Sequence, residues 1–115
     1  MIHLDYQSRT PIYEQIVLEI ERYVALGILK PNEQLMSIRE MATILGINPN
    51  TVKKAYAELE NKGVIITIST KGTFIADNIS KIVDKKVKEK INEIKKMVAE
   101  LEKLGISREE IIKKL

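Results

Sequence analysis

The first apolar pattern along the chain is that of an amphipathic helix beginning near residue 11. Thr10 can cap this helix, and Pro11 suits its first turn, where a missing N–H costs nothing. Apolar side chains then recur at helical spacing at Ile12, Ile16, Val17, Ile20 and Val24. Gly27 ends the run, and residues 28–36 are predicted to form a loop.

A second and a third helix follow, separated by a very short turn. The second begins at Ser37, whose spacing to Glu40 is that of a capping box, and ends at Gly46. Asn48 and Pro49 then start the third, because Asn caps free N–H groups and Pro is preset for the first helical position. The inner face of the third helix is its apolar stripe at i, i+3, i+4 and i+7: Val52, Ala55, Tyr56 and Leu59.

Two β-prone runs follow Gly63, which is placed to end the third helix. They are Val64 to Ile68 and Thr73 to Ala76, and Ser69-Thr70-Lys71-Gly72 lies between them. This arrangement predicts a β-hairpin. A helix–turn–helix followed by a hairpin can place the second of its two helices in a DNA major groove.

Residues 78–104 have the pattern of a long Lys/Glu-rich helix, which Gly105 ends. One face of it is an apolar heptad seam, formed by Val87, Ile91, Ile94, Val98 and Leu101. Ser107 and Glu110 then predict the cap of a short final helix. Two helices this small cannot hide such a seam, so we expect it to form a dimer interface, to pack on the preceding domain, or both.

The predicted fold is α+β and mainly α, with a winged helix-turn-helix domain at 1–77 and a two-helix dimerisation tail at 78–115. A length of 115 residues leaves room for this one domain and its appendage. Cysteine is absent, which excludes disulfides and thiolate metal sites. No run approaches the roughly 18 apolar residues of a membrane span, and the N-terminus does not resemble a signal peptide. We therefore expect a soluble, cytoplasmic protein with no membrane partner.

The net charge of +3 is not in itself an argument for nucleic acid binding. Residues 1–76 contain 8 Lys/Arg and 8 Asp/Glu, whereas residues 77–115 contain 11 and 8 and supply the whole excess. A DNA-binding prediction must therefore depend on where individual basic and polar side chains lie.

The outward positions around the third helix are the candidates for DNA contact. Asn can pair bidentately with adenine, Thr can offer its hydroxyl or its methyl, and Lys or Arg can contact bases or phosphates. The candidates are Arg39, Asn48, Pro49, Asn50, Thr51, Lys53 and Lys54. Each also has a structural explanation, because Asn48 is needed as a cap and exposed lysines commonly form a solvated face.

At these residues the chain resembles the GntR family of bacterial transcription regulators, specifically its YtrA-type branch. The similar segments are PIYEQI at 11–16, LMSIREMATILGINPNTVKKAYAELENKG at 35–63 and KGTFIAD at 71–77, and the helical tail is similar to that branch's small dimerisation region. The resemblance implies a dimeric repressor that binds double-stranded DNA at a palindromic operator, and control of a transporter operon.

The resemblance also implies which residues contact the operator. They are Arg39, the cap region Asn48 to Thr51, Lys53, and the hairpin tip at Thr70, Lys71 and Gly72. The chain departs from the family at Met36, where Pro is usual, which predicts a looser approach to the second helix. The hairpin lacks the Arg and the additional Gly that relatives often have, so Lys71 is its only basic candidate.

No constellation of residues indicates catalysis. His3 has no paired ligand, the carboxylates are scattered, and there is no Gly-rich phosphate loop, so we expect no enzyme activity, cofactor or metal site. Two other classes stay open: a protein-interaction module that keeps the winged fold without using DNA, and the DNA-binding part of a larger regulator. The neutral balance of residues 1–76 keeps the former open, and the capped tail argues against the latter. An effector is not identifiable.

Overall fold

The computed structural model describes residues 2–115 and, within them, five α-helices and two strands. Their order is α1 (Ile12–Ala25), α2 (Ile38–Leu45), α3 (Pro49–Asn61), β1 (Ile65–Ile68), β2 (Gly72–Ile75), α4 (Ile79–Lys103) and α5 (Arg108–Lys114). The predicted mainly helical α+β class is confirmed. The chain forms two compact units, one up to Ile82 and one from Val83 to Leu115, so the division falls inside α4. The predicted functional limit at residue 77 stays a prediction.

The core of the first unit is built around α3, which contacts α1, α2 and β1. The predicted inner stripe of α3 is buried: Val52, Ala55 and Leu59 are fully inaccessible, and Tyr56 is 4% exposed. The buried side chains around it come from α1 and from both strands and include Ile16, Ile20, Ile65 and Ile75. Because burying one such aliphatic side chain contributes about 1.5–3 kcal/mol, this stripe holds α3 in one rotation about its axis.

The predicted ends of α2 and α3 are confirmed. Ser37 and Glu40 form a complete capping box, and Gly46 ends α2 in the left-handed conformation with φ 67. The Asn48 side chain accepts a hydrogen bond of 2.8 Å from the Asn50 N–H, and Pro49 is the first residue of α3. The turn between the two helices is therefore specified by local side-chain chemistry on both sides.

The predicted cap of α1 by Thr10 is wrong. Pro11 occupies the N-cap position, and no side chain caps the helix. The preceding segment is instead held by Gln15, whose side chain accepts from the Asp5 N–H at 2.8 Å and donates to the carbonyls of Asp5 and Thr10, each at 2.9 Å. An amide side chain within the helix thus bonds the turn that leads into it.

The predicted hairpin is present, and we refer to Ile65–Ile75 as the wing. Its strands pair antiparallel, with Ile65 opposite Ile75 and Ile68 opposite Gly72. The Lys71 N–H donates to the Ile68 carbonyl at 3.0 Å and closes the turn, in which Thr70 has a φ of 67.

The predicted loop over 28–36 is only partly a loop, because residues 32–35 pair with the outer edge of β2. Gln34 forms a β-bridge with Phe74, the Leu35 N–H donates to the Thr73 carbonyl at 2.8 Å, and the Ile75 N–H donates to the Glu33 carbonyl at 2.8 Å. A third backbone segment therefore lies alongside the wing. Sequence pattern could not show this, because the segment follows a proline and has no run of β-prone residues.

In the second unit, Gly105 separates α4 from α5 with a φ of 89, as predicted. The Ser107 hydroxyl oxygen accepts from the Glu110 N–H at 3.2 Å, and Arg108 lies 3.4 Å from the Glu102 carboxylate. Ile111 of α5 is buried. Among residues 2–115, no helix is both long enough and apolar enough to cross a membrane.

Tyr56 links α3 to the start of α2. Its hydroxyl donates a 2.7 Å hydrogen bond to the carbonyl of Met36, the residue before the capping Ser37, so this approach to α2 is held despite the missing proline. Burial, and secondly the negative charge of Glu40, raise the pKa of Tyr56 from 10.0 to about 12. Because the folded state keeps this proton more tightly than the unfolded chain, the stabilisation is complete below pH 10 and is lost as the pH rises through 12.

Replacing Tyr56 by Phe should lower the free energy of unfolding by about 1 kcal/mol at pH 7, because the Met36 carbonyl loses its donor. Between pH 10 and 12 the variant should lose less stability than the wild type. Urea unfolding across this pH range measures both effects. Tyr6→Phe is the matched control, since Tyr6 is 65% exposed. Equal stability of Tyr56→Phe and wild type at pH 7 would contradict a stabilising hydrogen bond between Tyr56 and the Met36 carbonyl.

Candidate nucleic-acid interface

The start of α3 presents most of the side chains predicted to contact DNA. Asn48, Pro49 and Asn50 are exposed, and Thr51 is half-buried. The first turn of α3 contains no acidic residue, so no carboxylate there offsets the positive end of the helix dipole. An anion such as a DNA phosphate is favoured at such a position.

Asn48 can serve as a cap and still bind a ligand. Its side-chain oxygen is engaged by the Asn50 N–H, which leaves the amide NH₂ as its remaining polar group. Within residues 2–115 this NH₂ has no hydrogen-bond partner. A base acceptor or a phosphate oxygen could therefore receive its N–H without disturbing the cap.

Three basic side chains of the candidate interface are exposed and have no ion-pair partner within the described part of the chain. They are Arg39 in the first turn of α2, Lys53 on α3 and Lys71 at the wing tip. Lys62, at the other end of α3, provides the contrast, because it lies 3.7 Å from both Glu21 and Glu58. Of the three, Lys53 is on α3 itself, one residue after the first turn, and an unpaired cation so close to a helix N-terminus without acidic residues suits a phosphate.

Lys54 differs from these three in its surroundings. Its Nζ atom lies 4.0 Å from the centroid of the Tyr13 ring on α1, a cation–π contact that contributes about 0.5–1 kcal/mol at an exposed site. Its ammonium is thus directed toward α1. A DNA contact by Lys54 stays a prediction, and it would compete with the Tyr13 contact.

The predicted wing-tip residues lie together in and beside the turn. Thr70 and Lys71 are exposed, and Gly72 is half-buried with a φ of 123, a conformation that favours glycine. The side-chain amide of Gln34 donates to the Lys71 carbonyl at 3.1 Å. The sequence gives no sign of this contact, because Gln34 and Lys71 are distant in the chain and no local pattern links them.

The described residues offer little support for a metal site or a small-molecule pocket. Within residues 2–115, no three side chains of the His, Asp and Glu types group in a way that could hold a metal ion. An apolar groove of about 230 Å³ lies between α1, α2 and the segment before α2, with Ile20, Leu35, Met41 and Leu45 among its lining residues. It is smaller than the roughly 300 Å³ at which pockets for drug-sized ligands begin.

A winged helix-turn-helix whose α3 N-terminus is exposed and has no acidic residue is typical of a class of nucleic-acid-binding regulators, and known proteins agree with this class. Residues 12–75 match the family model described as "Bacterial regulatory proteins, gntR family". The chain is 40% identical over 112 residues to the HTH-type transcriptional repressor YtrA of Bacillus subtilis, covering 96% of this chain and 86% of that protein. The chain therefore belongs to the GntR family of bacterial regulatory proteins.

Solved structures are similar as well. A transcriptional regulator from Oenococcus oeni matches with a TM-score of 0.77 and 40% identity, covering 98% of this chain and 94% of that one. AraR(DBD) in complex with operator ORR3 matches with a TM-score of 0.57 and 26% identity, covering 64% of this chain and 89% of that one. Members of this family are transcription regulators, not enzymes.

Two substitutions of Asn48 test its role as the cap of α3. Asn48→Ala should lower the free energy of unfolding by about 1 kcal/mol, whereas Asn48→Ser should preserve it, because Ser caps as well as Asn. Chemical denaturation of both variants checks this. If Asn48→Ser is as unstable as Asn48→Ala, the observed cap does not account for the stability that Asn48 provides.

Proposed function

We propose that this chain is a dimeric transcription repressor that binds a palindromic DNA operator through α3 and the wing. The observation that carries the proposal is the exposed N-terminus of α3, whose first turn has no acidic residue and which is followed on the same helix by the exposed, unpaired Lys53. In this role residues 1–77 form the DNA-binding part, and residues 78–115 join two copies. The relative crystallised with an operator supports DNA as the ligand.

In the proposed complex α3 enters the major groove with its first turns against the base edges. Asn50 and Thr51 have the donors, acceptors and methyl group that read bases, and the Asn48 NH₂ is available beside them. Lys53 and Arg39 contact the phosphate backbone and fix the register of the helix. The wing tip, Thr70–Gly72, contacts the adjacent backbone or minor groove through Lys71.

The exposed apolar seam of α4 supports the dimer. Val87 is 53% exposed, Ile91 46% and Ile94 53%, while Val98 and Leu101 further along the seam are half-buried. A second copy would cover this heptad pattern by side-chain interlocking along the helix. A two-fold dimer presents two equivalent α3 helices, so its operator has two matching half-sites, one helical turn or a multiple apart.

A repressor of this kind acts on chromosomal DNA in the cytoplasm. No step of the proposal requires a catalytic group, a metal or a cofactor. An effector that releases the operator is compatible with it, and neither the surface nor the groove identifies one.

Asn50→Ala and Lys53→Ala should each weaken binding to a duplex that the protein has selected from a random-sequence pool, while leaving thermal unfolding unchanged. We expect a loss of about 1–3 kcal/mol for the base-reading Asn50. Lys53→Ala should weaken all duplexes about equally, because phosphates carry no sequence information. Fluorescence anisotropy measures both. Lys114→Ala is the matched control, since Lys114 is exposed at the end of α5 and is not part of the candidate interface. Unchanged affinity of Asn50→Ala and Lys53→Ala excludes this surface as the reader.

Replacing both Ile94 and Leu101 by Asp should give monomers with weak operator binding, because charges in the seam cannot be buried against a second copy. Sedimentation gives the mass, and anisotropy gives the affinity. Asn92→Asp, on α4 but outside the seam, controls for added negative charge. A dimer that persists in the double variant places the interface elsewhere.

A further inference from the structure

The residues before and after Gln34 are both hydrogen-bonded to the wing. The neighbouring Glu33 carbonyl accepts from Ile75, and the neighbouring Leu35 N–H donates to Thr73, both at 2.8 Å. Gln34 itself bridges to Phe74. Its Cα therefore has a fixed position relative to β2, and its side chain extends along the strand toward the turn.

The Gln34 side chain reaches the wing tip by passing over Gly72. A Cβ at Gly72 would lie 2.6 Å from Nε2 of Gln34, so the close approach depends on glycine at that position. Beyond Gly72, Nε2 donates to the Lys71 carbonyl at 3.1 Å. The absence of a side chain at Gly72 lets Gln34 reach the tip, and the hydrogen bond to Lys71 attaches the tip to the segment before α2.

The turn itself holds the tip weakly. One backbone hydrogen bond closes it, and Thr70 has a φ of 67. A left-handed conformation costs an L-residue about 1–2 kcal/mol, and a β-branched residue is poorly suited to it. Without an external restraint, this turn would sample other conformations and the Lys71 side chain would move with them.

We infer that Gln34 is a positioning residue for DNA binding, which holds the wing-tip backbone so that Lys71 meets the duplex in one place. The inference rests on the proposed function, since it requires Lys71 to contact DNA. A preorganised tip avoids the ordering cost that a mobile tip incurs on binding. Gln34 therefore contributes to affinity through Lys71 and need not touch DNA.

The test is a double-mutant cycle between Gln34→Met and Lys71→Ala. Methionine keeps the length and packing of the side chain over Gly72 but cannot donate to the Lys71 carbonyl. The probe is the duplex that the wild-type protein enriches from a random-sequence pool. We expect Lys71→Ala to weaken binding about fivefold and Gln34→Met about threefold, effects of the size of one hydrogen bond. The double variant should bind no more weakly than Lys71→Ala alone.

Two further variants serve as a substitute for Gln34→Met and as a control. Gln34→Leu, which also lacks the donor and adds no charge, should reproduce the loss if Gln34→Met proves unstable in thermal unfolding. Gln7→Met, the same exchange at an exposed glutamine in the segment before α1, should bind as the wild type does. Amide hydrogen exchange at the wing tip should be faster in Gln34→Met.

The outcomes separate this inference from the proposed function. If the wild type enriches no duplex, the proposed function fails and the inference fails with it. If the wild type binds and Lys71→Ala has no effect, the inference fails while the role of α3 stands. Losses that multiply in the double variant, or wild-type affinity in Gln34→Met, also overturn the positioning role.

Discussion

The structure of the first unit depends on the burial of one stripe of α3 against α1, α2 and β1. Because Val52, Ala55 and Leu59 are fully inaccessible, α3 cannot rotate about its axis without exposing them. Asn50 and Lys53 lie outside this stripe and are exposed. Burial of this stripe thus determines which polar side chains of α3 face outward and are available to a ligand.

Two polar contacts extend this constraint to the neighbouring elements. Tyr56, the one member of the stripe with a hydroxyl, bonds the Met36 carbonyl and so fixes where α2 begins. The segment before α2 in turn pairs with β2 and reaches the wing tip through Gln34. A continuous series of contacts therefore runs from α3 through the start of α2 to the wing. These contacts connect α3 and the wing tip, the two parts of the chain that we expect to contact DNA.

The sequence was sufficient to predict the elements whose signals are local. The Ser37 capping box, the Asn48 cap and the buried stripe of α3 are confirmed, because each depends on residues within one or two helical turns. Contacts between distant segments were missed. The pairing of residues 32–35 with β2 and the position of Lys54 over Tyr13 leave no periodicity in the sequence. The Thr10 cap was wrong because Pro11 occupies the N-cap position and no side chain caps α1.

Family membership identifies the chain as a regulator. We propose that phosphate and base contacts at α3 and the wing produce its specific DNA binding. The most direct measurement is the affinity of the wild-type protein for its selected duplex as a function of salt concentration. The account predicts that log K falls linearly with log salt, with a slope of about −0.9 for each phosphate neutralised. An affinity that does not change with salt, or no duplex enriched at all, would contradict it and favour a winged domain that binds another protein.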